Sequence, residues 1–355
     1  MDFFKKDTRT ALQAKEYAQW IAFAPMVFQA SRALRNLNIL SEVHESRKVG
    51  ITIEEVCTKL DLSNYGARVL MEAGLGIGLL IVNENKYKLT KAGYLILNDP
   101  LTKVNFDFSN DVCYEGLFSL TESIKSGKPE GLKVFGTWKT VYDALAHLQP
   151  NVQKSWFAFD HYYSDDSFPE VLEYVYKSKP KTLLDIGGNT GKWAISSVNY
   201  DEDVHVTIMD LPGQAEMAKK NIEKLGLSNR VSFYQTNILD ESIPFPKYFD
   251  VIWMSQFLDC FSDDEIFSIL SRCKNSLNDD GTVYILEPFW DNQRFEAAAF
   301  SLQMTSIYFT AIANGNSQMY NSTIFIKLIE KSGFVVAETI NDIGISNTLI
   351  KCVKK

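Results

Sequence analysis

The residues most suited to chemistry form a glycine-rich turn. The stretch LLDIGGNTGKWA places Asp185 two residues before Gly187 and Gly188, and Gly191 precedes the next predicted helix. Glycines let the backbone approach a ligand closely, and Asn189, where another glycine might be expected, tolerates left-handed geometry better than most residues. A turn of this kind binds a ligand at the carboxyl end of a strand. The glycine-rich turn is therefore predicted to bind a ligand.

A second acid indicates the kind of ligand. The next predicted strand ends at Asp210, where a carboxylate can accept hydrogen bonds from ribose hydroxyls. The D-x-G-G-N-x-G spacing differs from the G-x-G-x-x-G of dinucleotide sites, and no second glycine pair or basic residue is placed for a pyrophosphate. These features predict a nucleoside-containing cofactor and favour S-adenosylmethionine over NAD.

A third acid is a candidate general base. Asp259 lies in SQFLDCFSDDE, between an apolar run and a predicted helix start. A carboxylate with a pKa of about 4 is a weak base toward a phenol with a pKa of about 10. Burial among apolar neighbours would raise the pKa of the carboxylate. The alternative is structural: Ser262 and Glu265 match a capping box, and Asp259 could bind nearby loop amides. The sequence leaves both interpretations open.

A parallel sheet would bring these acids together. From residue 181 to 355, apolar runs alternate with helical or loop sequence, which predicts a doubly wound α/β sheet. The predicted strands are TLLDIGG, VHVTIMD, VSFYQTNI, FDVIWM and TVYILEPF. The last segment, GFVVAETINDIGISNTLIKCV, predicts an antiparallel hairpin at the edge of the sheet.

Residues 1–105 predict a separate, mainly helical domain. Three helices precede the short strands LLIVNEN and KYKLTKAG, which is the order of a winged helix, and Thr52 with Glu55 matches a capping box. The third helix carries one basic residue, Arg68, and also Glu72, which disfavours DNA. The apolar excess of the preceding helices favours a protein interface instead. We expect this domain to mediate dimerisation.

Residues 106–180 predict an aromatic, helical segment between the two domains. Its densest stretch is WFAFDHYYSDDSF. These aromatic side chains could pack helices together or line a pocket for an apolar or aromatic ligand, and the stretch alone does not decide.

The composition narrows the classes of function. The chain has 355 residues, 46% of them apolar, and a net charge of -8, which argues against nucleic acid as a partner. It lacks an apolar signal core and any run of roughly 18 apolar residues, so we expect a cytoplasmic protein without a membrane span. Its five cysteines and four histidines show no ligand spacing, so no metal is predicted.

The motifs together resemble the plant and bacterial small-molecule O-methyltransferases of the caffeic acid and hydroxyneurosporene type. In chain order, the resemblance is carried by SIKSGKPEG, DIGGNTG, MDLP, FLDCFSDDE, ILEPF and LIEKSGF. It implies a class I methyltransferase Rossmann-like doubly wound sheet with an N-terminal winged-helix dimerisation domain. It also implies S-adenosylmethionine as cofactor and a homodimer.

The resemblance also implies which residues bind the cofactor. Gly187 and Gly188 would line its methionine part, Asp210 would bind the ribose, and Asn237 with Ile238 would flank the adenine. Further cofactor contacts are implied for Asp185, Gly191, Leu211 and Ser255. The family usually has an aspartate where Asn237 stands, but an amide oxygen can still accept from an adenine amino group.

Catalysis departs from the family pattern. In the family a histidine deprotonates the acceptor hydroxyl, and two acids hold that histidine. Here Asp259 stands at the position of the histidine, Glu287 matches the first acid, and Met319 falls near the second. His161 is an alternative base from the aromatic segment, unless it is only a partly exposed helix histidine. An acceptor that arrives already activated would need neither.

The predicted function is O-methylation of a small aromatic or polyene-like hydroxylated metabolite. Contacts to this acceptor are predicted for Tyr162, Phe300, Met304 and Met319, with core packing as the alternative for those on helices. C- or N-methylation, or a non-methylating use of the cofactor, is the alternative function. A winged-helix DNA-binding regulator is a further one.

Overall fold

The computed structural model describes residues 4–355, which divide into two compact units. One unit comprises residues 4–109 and the other Asn110–Lys355. The aromatic segment predicted for residues 106–180 thus lies mostly in the same unit as the sheet. Within the described chain, none of the helices is both long and apolar enough to cross a lipid bilayer.

The N-terminal unit is helical, with one small hairpin. Its helices are α1 (Ala11–Asn36), α2 (Ile39–Glu45), α3 (Ile53–Leu60), α4 (Asn64–Ile77), α5 (Lys91–Asn98) and α6 (Pro100–Phe108), and its strands are β1 (Leu80–Asn83) and β2 (Lys86–Leu89). The two strands pair antiparallel, as predicted, across a turn in which Glu84 and Asn85 have φ of 47° and 61°. Positive φ at both positions is typical of a tight hairpin turn.

Helix boundaries in this unit follow local side-chain chemistry. The predicted capping box of α3 is confirmed, because the Glu55 amide donates to Thr52 Oγ1 at 3.2 Å and the Thr52 amide donates to Glu55 Oε2 at 2.8 Å. The first predicted helix, however, is two helices. Asn38 has φ of 61°, so the helical run ends there and α2 starts in a new direction.

The C-terminal unit combines a large sheet with helices. Its helices are α7 (Leu120–Ser126), α8 (Val141–Ala144), α9 (Pro150–Ser164), α10 (Phe168–Val175), α11 (Lys192–Tyr200), α12 (Pro212–Lys224), α13 (Asp263–Cys273), α14 (Glu296–Tyr308) and α15 (Ser322–Lys331). Its strands are β3 (Thr182–Ile186), β4 (His205–Asp210), β5 (Val231–Gln235), β6 (Phe249–Ser255), β7 (Leu277–Pro288), β8 (Phe334–Ile343) and β9 (Asn347–Lys354). Short 3₁₀ and π segments connect several of them.

The sheet has the order β5-β4-β3-β6-β7-β9-β8. Strands β3 to β7 are parallel, and β9 pairs antiparallel with both β7 and β8, which confirms the predicted α/β sheet and terminal hairpin. The strand order reverses between β3 and β6. Ligands of open parallel sheets bind outside the carboxyl ends of the strands at such a reversal.

Both faces of the sheet are buried. Successive residues of a strand point to opposite faces, so Leu183 and Val251 join one apolar cluster while Leu184 and Ile252 join the other. Helices α10, α11 and α12 cover the first face, and α13 and α15 cover the second. This two-sided burial fixes the strand ends from which the site is built.

Candidate active site

The glycine turn after β3 is closely packed. Gly187 has φ of 76°, and a Cβ there would lie 2.2 Å from the ring of Phe257. A Cβ on Gly188 would lie 2.7 Å from a carboxylate oxygen of Asp185. Gly191 has φ of 83° and directly precedes α11 as its N-cap residue. Gly187 and Gly191 are therefore needed for the backbone conformation, and Gly187 and Gly188 for the close packing.

Gly187→Ala is expected to lower the free energy of unfolding by about 2 kcal/mol or more, because it adds a steric conflict to a strained φ. Chemical denaturation measures this change. Gly226→Ala is the matched control, since Gly226 has φ of 70° but nothing within 4 Å of an added Cβ. Equal losses in the two variants would show that the contact with Phe257 is unimportant.

Asp210 lies at the tip of β4, beside this turn. Its two carboxylate oxygens accept from the amides of Asn189 at 2.8 Å and Leu211 at 2.7 Å. Burial raises the pKa of Asp210 to about 6, although the two amides favour the ionised form. The structure thus brings Asp210 and Leu211 together with the glycine turn.

Several buried polar atoms around the turn have no hydrogen-bond partner within the described residues. They are Asp185 Oδ2, Asn189 Oδ1, Thr190 Oγ1 and Ser255 Oγ. Asp185 is only 2% exposed, and burial with the nearby Asp210 charge raises its pKa well above the ordinary value. A buried acceptor without a donor is costly. A ligand with an ammonium group and hydroxyls, such as S-adenosylmethionine, fits this set.

The predicted adenine residues follow β5. Ile238 is buried, whereas Asn237 is exposed and its side-chain oxygen accepts from the Leu239 amide at 3.0 Å. That oxygen has a second lone pair, so a further donor could still bind it. Adenine binding by these two residues stays a prediction.

The loop after β6 carries Asp259, and Glu287 of β7 holds this loop in place. The amides of Phe257 and Leu258 both donate to Glu287 Oε1, at 3.0 and 2.8 Å. Gln256, at the start of the loop, has φ of 46°, a strained value for this residue type. Glu287 therefore binds the loop amides, and the carboxylate of Asp259 instead accepts from Cys260 Sγ at 3.4 Å.

Asp259 and Glu287 form a buried pair of acids. Asp259 is 4% exposed, and burial, with the charge of Asp160, raises its pKa to about 7. Burial and the charge of Asp259 raise the pKa of Glu287 well above its ordinary value. Two buried carboxylates close together do not both ionise easily, which agrees with the raised pKa of each.

Ser262 and Glu265 form the predicted capping box of α13. The Ser262 amide donates to Glu265 Oε2 at 2.9 Å, and the Glu265 amide donates to Ser262 Oγ at 3.4 Å. This cap fixes the position at which the Asp259 loop ends and α13 begins.

His161 lies on α9 and has acidic partners nearby. Its Nδ1 is 3.4 Å from Asp165 Oδ1 and 3.9 Å from Asp160 Oδ2, and its ring stacks on Phe157. These contacts lie on α9 and immediately after it. His161 is thus held by neighbouring groups, and its predicted role as a base stays a prediction.

The predicted acceptor residues differ in burial. Met319 is buried, and its amide donates to Ser306 Oγ at 3.1 Å, whereas Tyr162 is partly buried. Phe300 and Met304 lie on α14 with 53% and 48% of their surface exposed, so neither belongs to the core of this chain. Acceptor contacts by these four residues stay predictions.

Two residues beside the site were not predicted as part of it. The side-chain nitrogen of Asn189 donates to Asp160 Oδ2 at 3.0 Å, which joins the glycine turn to α9. The sequence marked Asn189 as unusual and Asp160 as one of several polar residues in an aromatic stretch. It did not show that the two meet, because the direction of a helical side chain depends on how the helix packs.

Comparison with known proteins agrees with the fold. A family model described as a Dimerisation2-like domain matches residues 15–87, and one described as an O-methyltransferase domain matches residues 118–335. The L-tyrosine C(3)-methyltransferase of Streptomyces lavendulae is 25% identical over 319 residues, which are 89% of this chain and 85% of that protein.

Two solved structures are similar in fold. The S-adenosylmethionine-dependent methyltransferase SibL has a TM-score of 0.71 at 22% identity, covering 94% of this chain and 98% of that one. The O-methyltransferase NcsB1 from neocarzinostatin biosynthesis, bound to S-adenosylmethionine and 2-hydroxy-5-methyl naphthoic acid, has a TM-score of 0.67 at 18% identity. That alignment covers 92% of this chain and 96% of NcsB1.

The reversed sheet order and the glycine turn define a class I methyltransferase fold. Because the second family model spans more than half of the chain, the protein belongs to the O-methyltransferase domain family. The predicted family, enzyme class and cofactor, S-adenosylmethionine, are thereby confirmed.

Proposed function

We propose that this methyltransferase acts on a small hydroxylated aromatic acceptor and that Asp259 is its general base. The main support is the position of one buried carboxylate. Asp259 lies two residues after Phe257, whose ring packs on Gly187 of the cofactor turn. A base at this position is close to the methionine end of the cofactor, where the methyl group is transferred.

The chain's own residues would hold the cofactor by complementary polar groups. Asp185 would bind the ammonium of the methionine part, Asp210 the ribose hydroxyls, and Ser255 a further polar group. When bound, S-adenosylmethionine supplies an electrophilic methyl group. Fixing that group beside the acceptor removes much of the entropic cost of the reaction.

The raised pKa of Asp259 makes it a better base. An ordinary aspartate lies about 6 pKa units below a phenol, which corresponds to about 8 kcal/mol of unfavourable proton transfer. With a pKa of about 7 the gap to a phenol shrinks to about 3 units, or about 4 kcal/mol. Asp259 would accept the hydroxyl proton, the methyl group would pass to the acceptor oxygen, and the carbon–sulfur bond would break to release S-adenosylhomocysteine.

Methylation of a ring carbon is the second candidate. A phenolate carries negative charge on the oxygen and on the adjacent ring carbons, so the same base would serve either product. The similarity to an L-tyrosine C(3)-methyltransferase favours this candidate. The atom that faces the methyl group would decide between the two.

Labelled product analysis separates these candidates. The enzyme is incubated with S-adenosylmethionine bearing a trideuterated methyl group and, separately, with L-tyrosine and 2-hydroxy-5-methyl naphthoic acid. Fragmentation mass spectrometry then locates the label on oxygen or on the ring. Label on oxygen supports O-methylation, and label on the ring supports C-methylation. Failure to label either compound would exclude acceptors of these two kinds.

Cofactor binding should depend on pH through Asp210. An ionised carboxylate accepts ribose hydroxyls better than a protonated one, and its pKa is raised to about 6. The dissociation constant of S-adenosylhomocysteine should therefore be constant above about pH 7 and rise up to about tenfold per unit below pH 6. Calorimetric titration from pH 5 to 8 measures it, and Asp210→Asn should flatten the profile.

We also propose a cytoplasmic homodimer that assembles through α1. The helix exposes six large apolar side chains, which are Leu12, Tyr17, Trp20, Ile21, Phe23 and Met26. Exposed apolar surface of this kind is typical of a protein interface, and the matched domain is described as dimerisation-like. Light scattering should give the mass of two chains, and Trp20→Asp with Phe23→Asp should give monomers. A monomeric wild type would contradict this assembly.

A further inference from the structure

Helix α9 is attached to the cofactor segment at two points. Asn189 Nδ2 donates to Asp160 Oδ2 at 3.0 Å, and Lys192 pairs with Asp165 directly after the helix. Asn189 belongs to the glycine turn, and Lys192 is the first residue of α11. The end of α9 that carries His161 and Tyr162 is thus attached to the segment expected to bind the cofactor.

Asn189 shapes the glycine turn and also donates two hydrogen bonds. Its φ of 49° shapes the turn, its amide donates to Asp210 at 2.8 Å, and its side chain donates to Asp160. The oxygen of the same side-chain amide is buried and has no partner within the described residues. A single residue therefore contacts both the ribose-binding acid and the helix of the predicted acceptor site.

We propose that Asn189 and Asp160 are a positioning pair that couples cofactor binding to the placement of helix α9. The inference rests on the proposed function, since it takes Asp210 as the ribose ligand and α9 as a wall of the acceptor site. By holding the Asn189 side chain, Asp160 fixes the amide that orients Asp210. By the same hydrogen bond, the turn fixes the part of α9 that precedes His161.

The strength of the hydrogen bond from Asn189 depends on the charge of Asp160, which accepts it. A hydrogen bond to an ionised group is stronger than one between neutral groups. Burial raises the pKa of Asp160 and the charge of Asp165 adds to this, whereas His161, the hydrogen bond from Asn189 and Lys192 favour its ionised form. The coupling is reciprocal, so an acceptor that orders α9 should also tighten cofactor binding.

A double-mutant cycle tests the pair. Binding of S-adenosylhomocysteine is measured by calorimetry for the full-length wild type, Asn189→Gly, Asp160→Ala and the double variant. Glycine accepts the left-handed φ, so Asn189→Gly removes the side chain without straining the turn. Each single change should weaken binding about tenfold, and the double variant should be no weaker than either single one.

Exchanging the two side chains gives a second test. Asn189→Asp alone places two carboxylates together and should weaken binding more than tenfold, whereas adding Asp160→Asn restores a donor and should recover most of the affinity. This rescue would not occur if Asn189 served only to shape the turn. Asp203→Ala, which removes the exposed pair with Lys181, is the control and should bind as wild type does.

The outcomes are distinguishable. Additive losses in the cycle, unchanged affinity in the single variants, or no recovery on exchange would overturn the pair while leaving the cofactor site intact. A wild type that does not bind S-adenosylhomocysteine would overturn the proposed function, and the pair with it. Thermal unfolding of each variant shows that the proteins compared are folded.

Discussion

Asp259→Asn is expected to lower kcat for methyl transfer by about 100- to 10,000-fold, the usual contribution of a general base. Asparagine keeps the shape of the side chain but cannot accept the acceptor's proton. The measurement is the initial rate of product formation with any acceptor that the wild type methylates. A rate within about threefold of the wild type would show that the acceptor needs no base from Asp259.

The same substitution should stabilise the protein at alkaline pH. Burial raises the pKa of Asp259 from 3.8 to about 7. Its contribution to stability is therefore fully present below pH 3.8 and is lost as the pH rises through about 7. An asparagine side chain does not ionise, so Asp259→Asn should be more stable than the wild type by on the order of 2 kcal/mol at pH 8, and less so at pH 5.

Thermal unfolding at the two pH values measures this difference. Asp203→Asn is the control, because Asp203 is exposed and its pKa is lowered by Lys181. A lower Tm for Asp259→Asn at pH 8 would contradict the view that a buried charge is maintained here at a cost in stability. Loss of activity together with higher stability is the pattern expected of a functional group rather than a structural one.

Asp210→Ala is expected to weaken S-adenosylhomocysteine binding by about 100-fold or more. On the proposed assignment it would remove the acceptors for two ribose hydroxyls, each hydrogen bond contributing about 1.5 to 3 kcal/mol when the acceptor is charged. It also leaves the amides of Asn189 and Leu211 without the carboxylate that orients them. Calorimetry measures the change, with Asp203→Ala as the control. Unchanged binding would remove Asp210 from the cofactor site.

The fold was predictable because its signals are local. Apolar runs such as TLLDI and FDVIWM are long enough to span a buried sheet, and the helices between them require parallel pairing. The break at Asn38 was missed because the apolar periodicity continues across it. The left-handed conformation of Asn38 does not alter the pattern of apolar residues, so the pattern predicted a single helix.

The grouping of the residues proposed to bind the cofactor was predictable for a similar reason. Gly187, Gly188 and Asp210 lie at strand ends, and the sheet brings strand ends together. The contact between Asn189 and Asp160 was not predictable, since it joins residues 29 apart through the packing of a helix on a turn. The adjacent His161 drew attention because histidine is the residue type that titrates near neutral pH, but consecutive helical residues point about 100° apart.

The role proposed for Asp259 depends on its burial as well as on its residue type. From the sequence, Asp259 could have been a loop carboxylate that binds amides. In the structure Glu287 accepts from the amides of Phe257 and Leu258, and the buried carboxylate of Asp259 has a raised pKa. The sequence indicates that an acid, Asp259, occupies this position, but only the packing shows that Glu287 binds the loop amides.

Transfer of a labelled methyl group tests the proposed role of Asp259 most directly. The wild type and Asp259→Asn are each incubated with S-adenosylmethionine carrying a trideuterated methyl group and a metabolite extract, and products are sought by mass spectrometry. We predict an aromatic product heavier by one trideuteromethyl group with the wild type and at least about 100-fold less of it with the variant. Equal labelling by both proteins, or none by a wild type that binds S-adenosylhomocysteine, would contradict the proposed function.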